Sequence, residues 1–287
     1  IIPGVTVPSS LFLIMLPAII IVLISHELAH KLAAHTYGLK VKSVGLAFFL
    51  FIPGAFVEPD EKEFNKSKPS VRMKILAAGS AANLLVGLLF LLPLISPVVF
   101  DVGLSPFFNS PSGIVVQGIM IDGPLKLTTD IREGDVIVSI NEQRILNDED
   151  LMDIRLNPGD QVLIEYYKKE ELGKHLDEPN QITVTAVQYL ESGKGIIGIT
   201  QWTSYYSPRI SMIPINTPQV LFQIVNWGFV ISLGVATINM LPIYPLDGYK
   251  FMDSGLESLG LKTKRKKVFL YTAMIASLTI VGLNIAI

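Results

Sequence analysis

The chain has 287 residues, of which 50% are hydrophobic and 17% charged, and its mean hydropathy is +0.49. This composition excludes a disordered chain and disfavours a wholly soluble enzyme. A net charge of −2 provides no global basic field for nucleic acid, and the absence of cysteine excludes disulfides, thiolate nucleophiles and cysteine metal ligands. Any metal site must therefore use His, Asp or Glu.

Both ends of the sequence are apolar. The chain begins at Ile1 rather than at Met, and it stops at Ile287 inside an apolar run. Because membrane helices usually end in polar or aromatic residues, we expect a processed chain or a fragment. Residues 1–25 lack the basic leader and small-residue cleavage site of a signal peptide.

Four apolar segments predict membrane-spanning helices. About 20 helical residues, at roughly 1.5 Å each, cross the hydrocarbon core of a bilayer. Small residues in the first half of the second segment would let helices approach closely. The segments are 11–25, with a helical pattern continuing to about Tyr37, then 75–100, 220–241 and 268–287.

A segment of different character separates the second and third apolar segments. Residues 101–215 carry 17 acidic and 9 basic side chains, in short alternating runs separated by Gly, Pro and Asn. This predicts a soluble domain inserted into a membrane core formed by residues 1–100 and 216–287. The expected fold is an α-helical polytopic membrane protein, with about four transmembrane helices, a membrane-associated hairpin and an inserted α+β domain.

Basic residues concentrate in two short connections. Residues 31–74 and 250–267 together hold 14 of the 23 Lys and Arg side chains. The positive-inside rule predicts that both connections are cytoplasmic, and the two helices between them require the same side. The inserted domain is then extracytoplasmic. We interpret the basic run 262–267 as the flank of the last helix, not as a nucleic-acid patch.

The sequence His26-Glu27-Leu28-Ala29-His30 fits the H-E-x-x-H pattern. On a helix with 100° per residue these three polar side chains share one face. Two neutral imidazoles can bind Zn²⁺, which lowers the pKa of a coordinated water to about 7, and Glu27 can take its proton as general base. The alternative is a pair of interfacial histidines with a snorkelling glutamate. His35 lies about 180° around the helix from His26 and is not a ligand candidate.

A third ligand is predicted at Asp247. Pro242 and Pro245 must break the third apolar helix just before it, and irregular backbone near membrane depth is tolerated where it lines a protein cavity. Asp247 would complete a set of two His and one carboxylate with a fourth position open. Asp-Gly is also a common turn, and Asp253 is a weaker alternative ligand.

Together, these motifs resemble the site-2 protease family of intramembrane zinc metalloproteases. They are H-E-x-x-H on the first core helix, a small-residue second helix, and Asn-x-x-Pro-x-x-Pro-Leu-Asp-Gly ending at Gly248. The resemblance implies that His26, His30 and Asp247 bind zinc and that Glu27 is the catalytic glutamate. Residues 79–83 look like the family's Gly-Pro-x-x-Asn, with Ser80 in place of proline.

Two asparagines are open to two interpretations. Asn83 could donate a hydrogen bond to the negative charge that develops on the scissile carbonyl oxygen. It could instead form an interhelical hydrogen bond, the ordinary use of a membrane asparagine. The same choice applies to Asn239, where a structural role is favoured.

Residues 40–58 alternate, become apolar and then turn at Pro53-Gly54, which predicts a hairpin that dips into the bilayer. It is too short and interrupted for a spanning helix. The resemblance implies such a hairpin, and its exposed edge could pair with an extended substrate. The alternative is an interfacial loop with no substrate role.

The inserted domain resembles PDZ domains over about residues 103–203. The segment 132–141 looks like the PDZ turn and strand, with an earlier strand at 113–116, a short helix at 147–156 and a later strand at 158–166. Polar residues 168–180 predict a flexible loop. PDZ domains bind peptides by strand addition, so this domain would bind or exclude the outer part of a substrate. The alternative is a spacer.

Three classes of membrane protein could contain these features. The first is a zinc endopeptidase that cuts single-pass membrane proteins near the cytoplasmic face; the resemblance implies regulated intramembrane proteolysis. The second is a membrane scaffold whose PDZ domain binds partners, but a structural metal site normally has four protein ligands. The third is a transporter, disfavoured because no inverted repeat is visible. We predict the endopeptidase, with the lipid bilayer as its medium and no nucleic-acid partner.

Overall fold

A computed structural model describes residues 7–49, 52–59, 61–172, 178–189, 193–210, 212–214 and 216–285. The chain divides into two compact units. One combines Ile1–Pro97 with Val220–Ile287, and the other is the intervening Val98–Gln219. The predicted boundaries at residues 101 and 215 lie a few residues inside the second unit.

The helices and strands follow in chain order. The first part of the chain contains α1 (Ser9–Thr36), β1 (Val41–Phe49), β2 (Ile52–Pro59), α2 (Glu61–Lys66) and α3 (Pro69–Ile95). The intervening part contains α4 (Pro97–Leu104), β3 (Ile114–Ile119), α5 (Pro124–Thr128), β4 (Val136–Ile140), β5 (Gln143–Arg144), α6 (Asp148–Asp153), β6 (Gln161–Tyr167), β7 (Asn180–Thr185), β8 (Val187–Gln188), β9 (Gly195–Ile196) and β10 (Ile199–Ser204). The last part contains α7 (Thr217–Asn239), α8 (Asp247–Ser258) and α9 (Thr263–Ile285).

Among the described residues, four helices are long and apolar enough to cross a membrane, by length and composition: α1, α3, α7 and α9. Each of the four predicted apolar segments falls on one of them. Large apolar side chains on these helices are exposed, and contiguous exposure of this kind suits lipid rather than water. On α3 they are Leu84, Leu85, Leu88, Leu89 and Leu92.

The predicted second span, 75–100, is wrong at both of its limits. The helix α3 begins earlier, at Pro69, where a proline costs no hydrogen bond because the first helical N–H has no intrahelical partner. It ends at Ile95, because Ser96 precedes Pro97 and is extended, with φ −135° and ψ 99°. A separate helix, α4, follows.

Prolines also end α7, as the sequence predicts. The helix stops at Asn239, before Pro242 and Pro245, and α8 begins at Asp247. A methyl group on Gly248 would lie 2.2 Å from the backbone of Met240, so only glycine allows this close approach of α8 to the end of α7. The turn thereby fixes the position of Asp247.

The strands β1 and β2 form an antiparallel hairpin over the segment where the sequence predicts one. Its register runs from Val41 opposite Pro59 to Phe49 opposite Ile52, with an irregularity between Val41 and Ser43. Whether the hairpin enters the bilayer remains a prediction.

The second unit is an antiparallel sheet in the order β10-β3-β4-β6-β7, with β5 paired to β4. The predicted short helix is α6, whose N-terminus has a capping box between Asn147 and Asp150. Of the loop predicted at 168–180, residues 169–171 form a 3₁₀ turn and residues 173–177 lie outside the described part of the chain. The core is made of aliphatic side chains from the sheet, among them Ile114, Val116, Ile137, Ile140, Val162 and Ile164.

Candidate metal centre

Two histidines on α1 face each other across one helical turn. The Nε2 atoms of His26 and His30 are 3.1 Å apart, and the rings meet edge to face at 80° with centroids 4.7 Å apart. His26 is 4% exposed. The i, i+4 spacing therefore directs two ring nitrogens to one point, as the sequence predicts.

Asp247, at the start of α8, completes the cluster. Its Oδ2 lies 3.2 Å from His26 Nε2 and 3.1 Å from His30 Nε2. In a tetrahedral zinc site with bonds of about 2.0–2.1 Å, ligand atoms are roughly 3.3 Å apart. The three donor atoms therefore have the type and spacing that a metal ion requires.

The other candidates do not join these donors. Asp253 lies on the same cavity, but its Oδ1 forms an ion pair with Lys266 Nζ at 2.9 Å. His35 is exposed on α1 and lies outside the cluster. Among the described residues the ligand set is therefore His26, His30 and Asp247, which leaves room for a fourth ligand from outside the chain.

The backbone of α3 fixes the His30 ring. His30 Nδ1 lies 2.8 Å from the carbonyl oxygen of Ile75, which can only accept a hydrogen bond. Nδ1 must therefore carry the proton, which leaves the lone pair of Nε2 toward the cluster. Such a bond from the non-ligating nitrogen is the usual way that a protein fixes a metal-binding imidazole.

Asn83 holds the other side of His26. It is fully buried on α3, and its Nδ2 lies 3.0 Å from His26 Nδ1. If Nε2 binds a metal, Nδ1 carries the proton and needs an acceptor. A 180° rotation of the Asn83 amide supplies Oδ1, since amide oxygen and nitrogen are interchangeable by shape. After the rotation, Nδ2 would take the place of Oδ1, which now lies 3.4 Å from Ser25 Oγ. Ser25 Oγ can accept a hydrogen bond from Nδ2 because its own proton is donated to the Val22 carbonyl oxygen.

Asn239 lies on the opposite side of the same ring. Its Nδ2 is 3.1 Å from His26 Nε2, at the C-terminal end of α7. Of the two asparagines, Asn239 is next to the converging donor atoms and Asn83 is behind the imidazole. Sequence spacing alone gave no sign of this difference.

Gly79 is a site residue that the sequence argument did not single out for its own chemistry. A methyl group there would lie 2.4 Å from His30 Nε2 and 2.7 Å from His26 Nε2. The α3 backbone therefore forms one wall of the cluster. The sequence signals for it are the small-residue run that surrounds this glycine and its place at the start of the stretch that looks like Gly-Pro-x-x-Asn.

Glu27 lines a cavity of about 580 Å³ together with the three donor residues and Asn239. Both polar and apolar side chains line this cavity, which brings Glu27 to the same space as the donor residues.

Comparison with known proteins identifies the family of the chain. The model of peptidase family M50 matches residues 14–282. An uncharacterised protein of Methanocaldococcus jannaschii, MJ0971, is 29% identical over 254 residues, which cover 87% of this chain and 60% of that protein. The chain thus spans about 60% of the length of this relative.

The likeness of part of the chain to a solved structure is weaker. The PDZ domain of the SdrC-like protein from Listeria monocytogenes shares 25% identity and covers 31% of this chain and 86% of its own, with a TM-score of 0.25. A TM-score of 0.25 does not establish a shared fold. The family match covers the metal cluster and all four long helices, and it shows that the chain belongs to peptidase family M50, a family of membrane metallopeptidases.

Proposed function

We propose that the protein is a site-2-type zinc endopeptidase that hydrolyses peptide bonds in transmembrane segments. The observation that carries the proposal is the convergence of three donor residues beside Glu27: His26 and His30 on α1, which is long enough to span a membrane, and Asp247 at the start of the shorter helix α8. Zinc is favoured over other divalent ions because two imidazoles and one carboxylate suit its ligand preferences.

A bound zinc ion would polarise the scissile carbonyl and activate water for attack. Glu27, one residue from His26 on the same helix face, takes the proton of the attacking water and passes it to the amine leaving group. Asn239 donates from Nδ2 to the carbonyl oxygen as negative charge develops there. Asn83 orients His26 from behind. We therefore assign the stabilisation of the oxyanion to Asn239 rather than to Asn83.

The orientation follows from charge. The two basic connections, 31–74 and 250–267, flank the helix ends that carry the donor residues, and the positive-inside rule assigns them to the cytoplasm. We infer a cell-membrane protein whose substrates are single-pass proteins cut near the cytoplasmic face, with the second unit outside. Regulated proteolysis is the biological setting that the resemblance favours.

The second unit is inferred to be a PDZ-like module. The strand β10 ends the described sheet, and the short helix α6 lies beside it, where Ser204 Oγ donates to Asp148 Oδ1 at 2.9 Å. An open strand edge beside a helix is the arrangement that binds an extended peptide by strand addition. Its ligand would be a peptide or the outer part of a substrate. The hairpin β1–β2 offers a second edge for pairing.

The test compares the full chain with Glu27→Gln in detergent. We expect both to bind about one zinc per chain and only the former to cut a single-pass substrate, because the change removes the base but no ligand. If both bind zinc and neither cuts a panel of transmembrane substrates, the non-catalytic scaffold becomes the better explanation. If neither binds zinc, the ligand set is wrong.

A further inference from the structure

Arg72, on the first turn of α3, is a buried cation on the wall of the metal cavity. It is 7% exposed and lines the same cavity as His26, Glu27 and Asp247. A buried guanidinium is costly unless its charge and its N–H groups are matched. The partners that Arg72 has, and those that it lacks, therefore indicate what it does.

Its charge is matched by one carboxylate. Glu257 Oε1, on α8, lies 2.7 Å from Arg72 Nη2 and forms an ion pair with it. Glu257 is also shared, because its Oε2 is 3.7 Å from Lys266 Nζ. The Glu257 side chain is 46% exposed.

The hydrogen-bonding edge of Arg72 is not matched. Nε and Nη2 lie on the same edge of the planar guanidinium, and both are buried without a hydrogen-bond partner in the described structure. Two parallel N–H groups on one edge fit the two oxygens of a carboxylate, whereas a peptide carbonyl offers a single oxygen. The partner that suits this edge is therefore bidentate and anionic, and it would share Nη2 with Glu257 Oε1.

A second cation supports the same charge preference. Lys250 lines the cavity, is exposed and forms no ion pair in the described part of the chain. The nearby carboxylate of Asp253 is already paired with Lys266. On the Arg72 side, the cavity therefore presents unmatched donors and an unpaired positive charge.

We propose that Arg72 is a specificity residue that binds a carboxylate of the substrate, beside the metal centre. The carboxylate is an Asp or Glu side chain near the cleaved bond or the α-carboxylate at a chain end. The inference rests on the proposed function, because it takes the occupant of the cavity to be the polypeptide on which the metal centre acts. Anionic lipid would present a phosphate to the same fork, and the test separates the two.

The experiment measures binding rather than cleavage. Fluorescent transmembrane peptides that differ only by Asp or Asn at one position, scanned across the flank of the apolar segment, are titrated by anisotropy. The protein is the full zinc-loaded chain carrying Glu27→Gln, in a neutral detergent. A second peptide pair differs only by a free or amidated C-terminus and distinguishes the two carboxylate sources.

We expect the Asp peptide, at one or two positions, or the free-terminus peptide to bind about 10- to 100-fold more tightly than its partner, as a charged bidentate contact provides. Arg72→Gln should bring this ratio near one without changing the affinity of the neutral peptide. The double change Arg72→Gln with Glu257→Gln should also bring the ratio near one. This result would show that the loss is not caused by a Glu257 carboxylate left without its partner. Lys267→Gln, an equal charge change at an exposed position on α9, should keep the ratio.

An unchanged ratio in Arg72→Gln overturns the inference, as does an effect seen only when anionic lipid is added. If Arg72→Gln does not fold, Arg72→Lys carries the test, because it keeps the charge and loses the fork, and its ratio must fall. If the binding ratio depends on Arg72 but the chain with Glu27 intact never cuts a substrate, the proposed function is refuted and this inference stands. If the chain with Glu27 intact cuts substrates but binding shows no carboxylate preference, this inference is refuted and the proposed function stands.

Discussion

Adding a methyl group at Gly79 should destroy the metal centre while leaving the helices intact. The new Cβ would lie 2.4 Å from His30 Nε2, where ordinary contacts are 3.4–4 Å. The imidazole must therefore retreat by about 1 Å, whereas metal–ligand distances tolerate only about 0.2 Å. We expect Gly79→Ala to weaken zinc binding at least 100-fold, the upper end of the effect of losing an outer-sphere partner.

The assay is competition with a calibrated zinc chelator on purified protein, with circular dichroism as a check on helix content. Alanine is favoured over glycine in helices by about 1 kcal/mol, so α3 itself should not unfold. Gly234→Ala is the matched control, because a Cβ at that position on α7 has no neighbour within 4 Å. Wild-type zinc affinity in Gly79→Ala would show that α1 and α3 are not as close as the structure has them.

The two asparagines should separate by assay. Asn83→Ala should weaken zinc binding about 10- to 100-fold, whereas Asn239→Ala should leave it within a few-fold and lower kcat about 10²–10³-fold; the opposite pattern in chelator competition and kinetics would reverse their roles. In the second unit, Lys168 and the Tyr166 hydroxyl hold the pKa of Asp130 below its usual range. The ionised Asp130 carboxylate, with Lys168 and Tyr166 beside it, therefore stabilises the fold fully above about pH 4. This stabilisation is lost as the pH falls through the folded pKa of Asp130, so Asp130→Asn should flatten the pH dependence of the free energy of unfolding below pH 4. Tyr166→Phe should raise the Asp130 pKa, measured by carboxyl carbon NMR; an unchanged value would contradict the hydrogen bond.

Local spacing explains why the histidine pair could be predicted. The positions of His26 and His30 depend only on helix periodicity, and the helix is specified by its apolar sequence. Asp247 required a longer step, from the prolines that end α7 to a carboxylate at the next helix start. The structure places the three donors together because α8 packs against α3, which spacing does not reveal.

The asparagines show where sequence reasoning stops. Asn83 is fully buried and Asn239 is half-buried, but both are amides on long apolar helices, and composition treats them alike. Their roles differ because one contacts Nδ1 and the other Nε2 of the same ring, a distinction of a few ångströms set by helix rotation. In the sequence, Arg72 is only one of the basic residues that indicate the orientation of the chain. Its donors without hydrogen-bond partners become visible only when the structure places Glu257 beside it.

The metal cluster also makes the chain a closed loop. His30 and Asp247 are 217 positions apart, and the second unit makes up more than half of that distance. The entropic cost of closing a loop grows only with the logarithm of its length, so even a doubling of the whole loop would cost only about 0.6 kcal/mol. Modules of very different size could therefore be exchanged between the two halves of the membrane core with little effect on metal affinity, which makes the insertion point a natural position for acquiring new substrate-sensing domains.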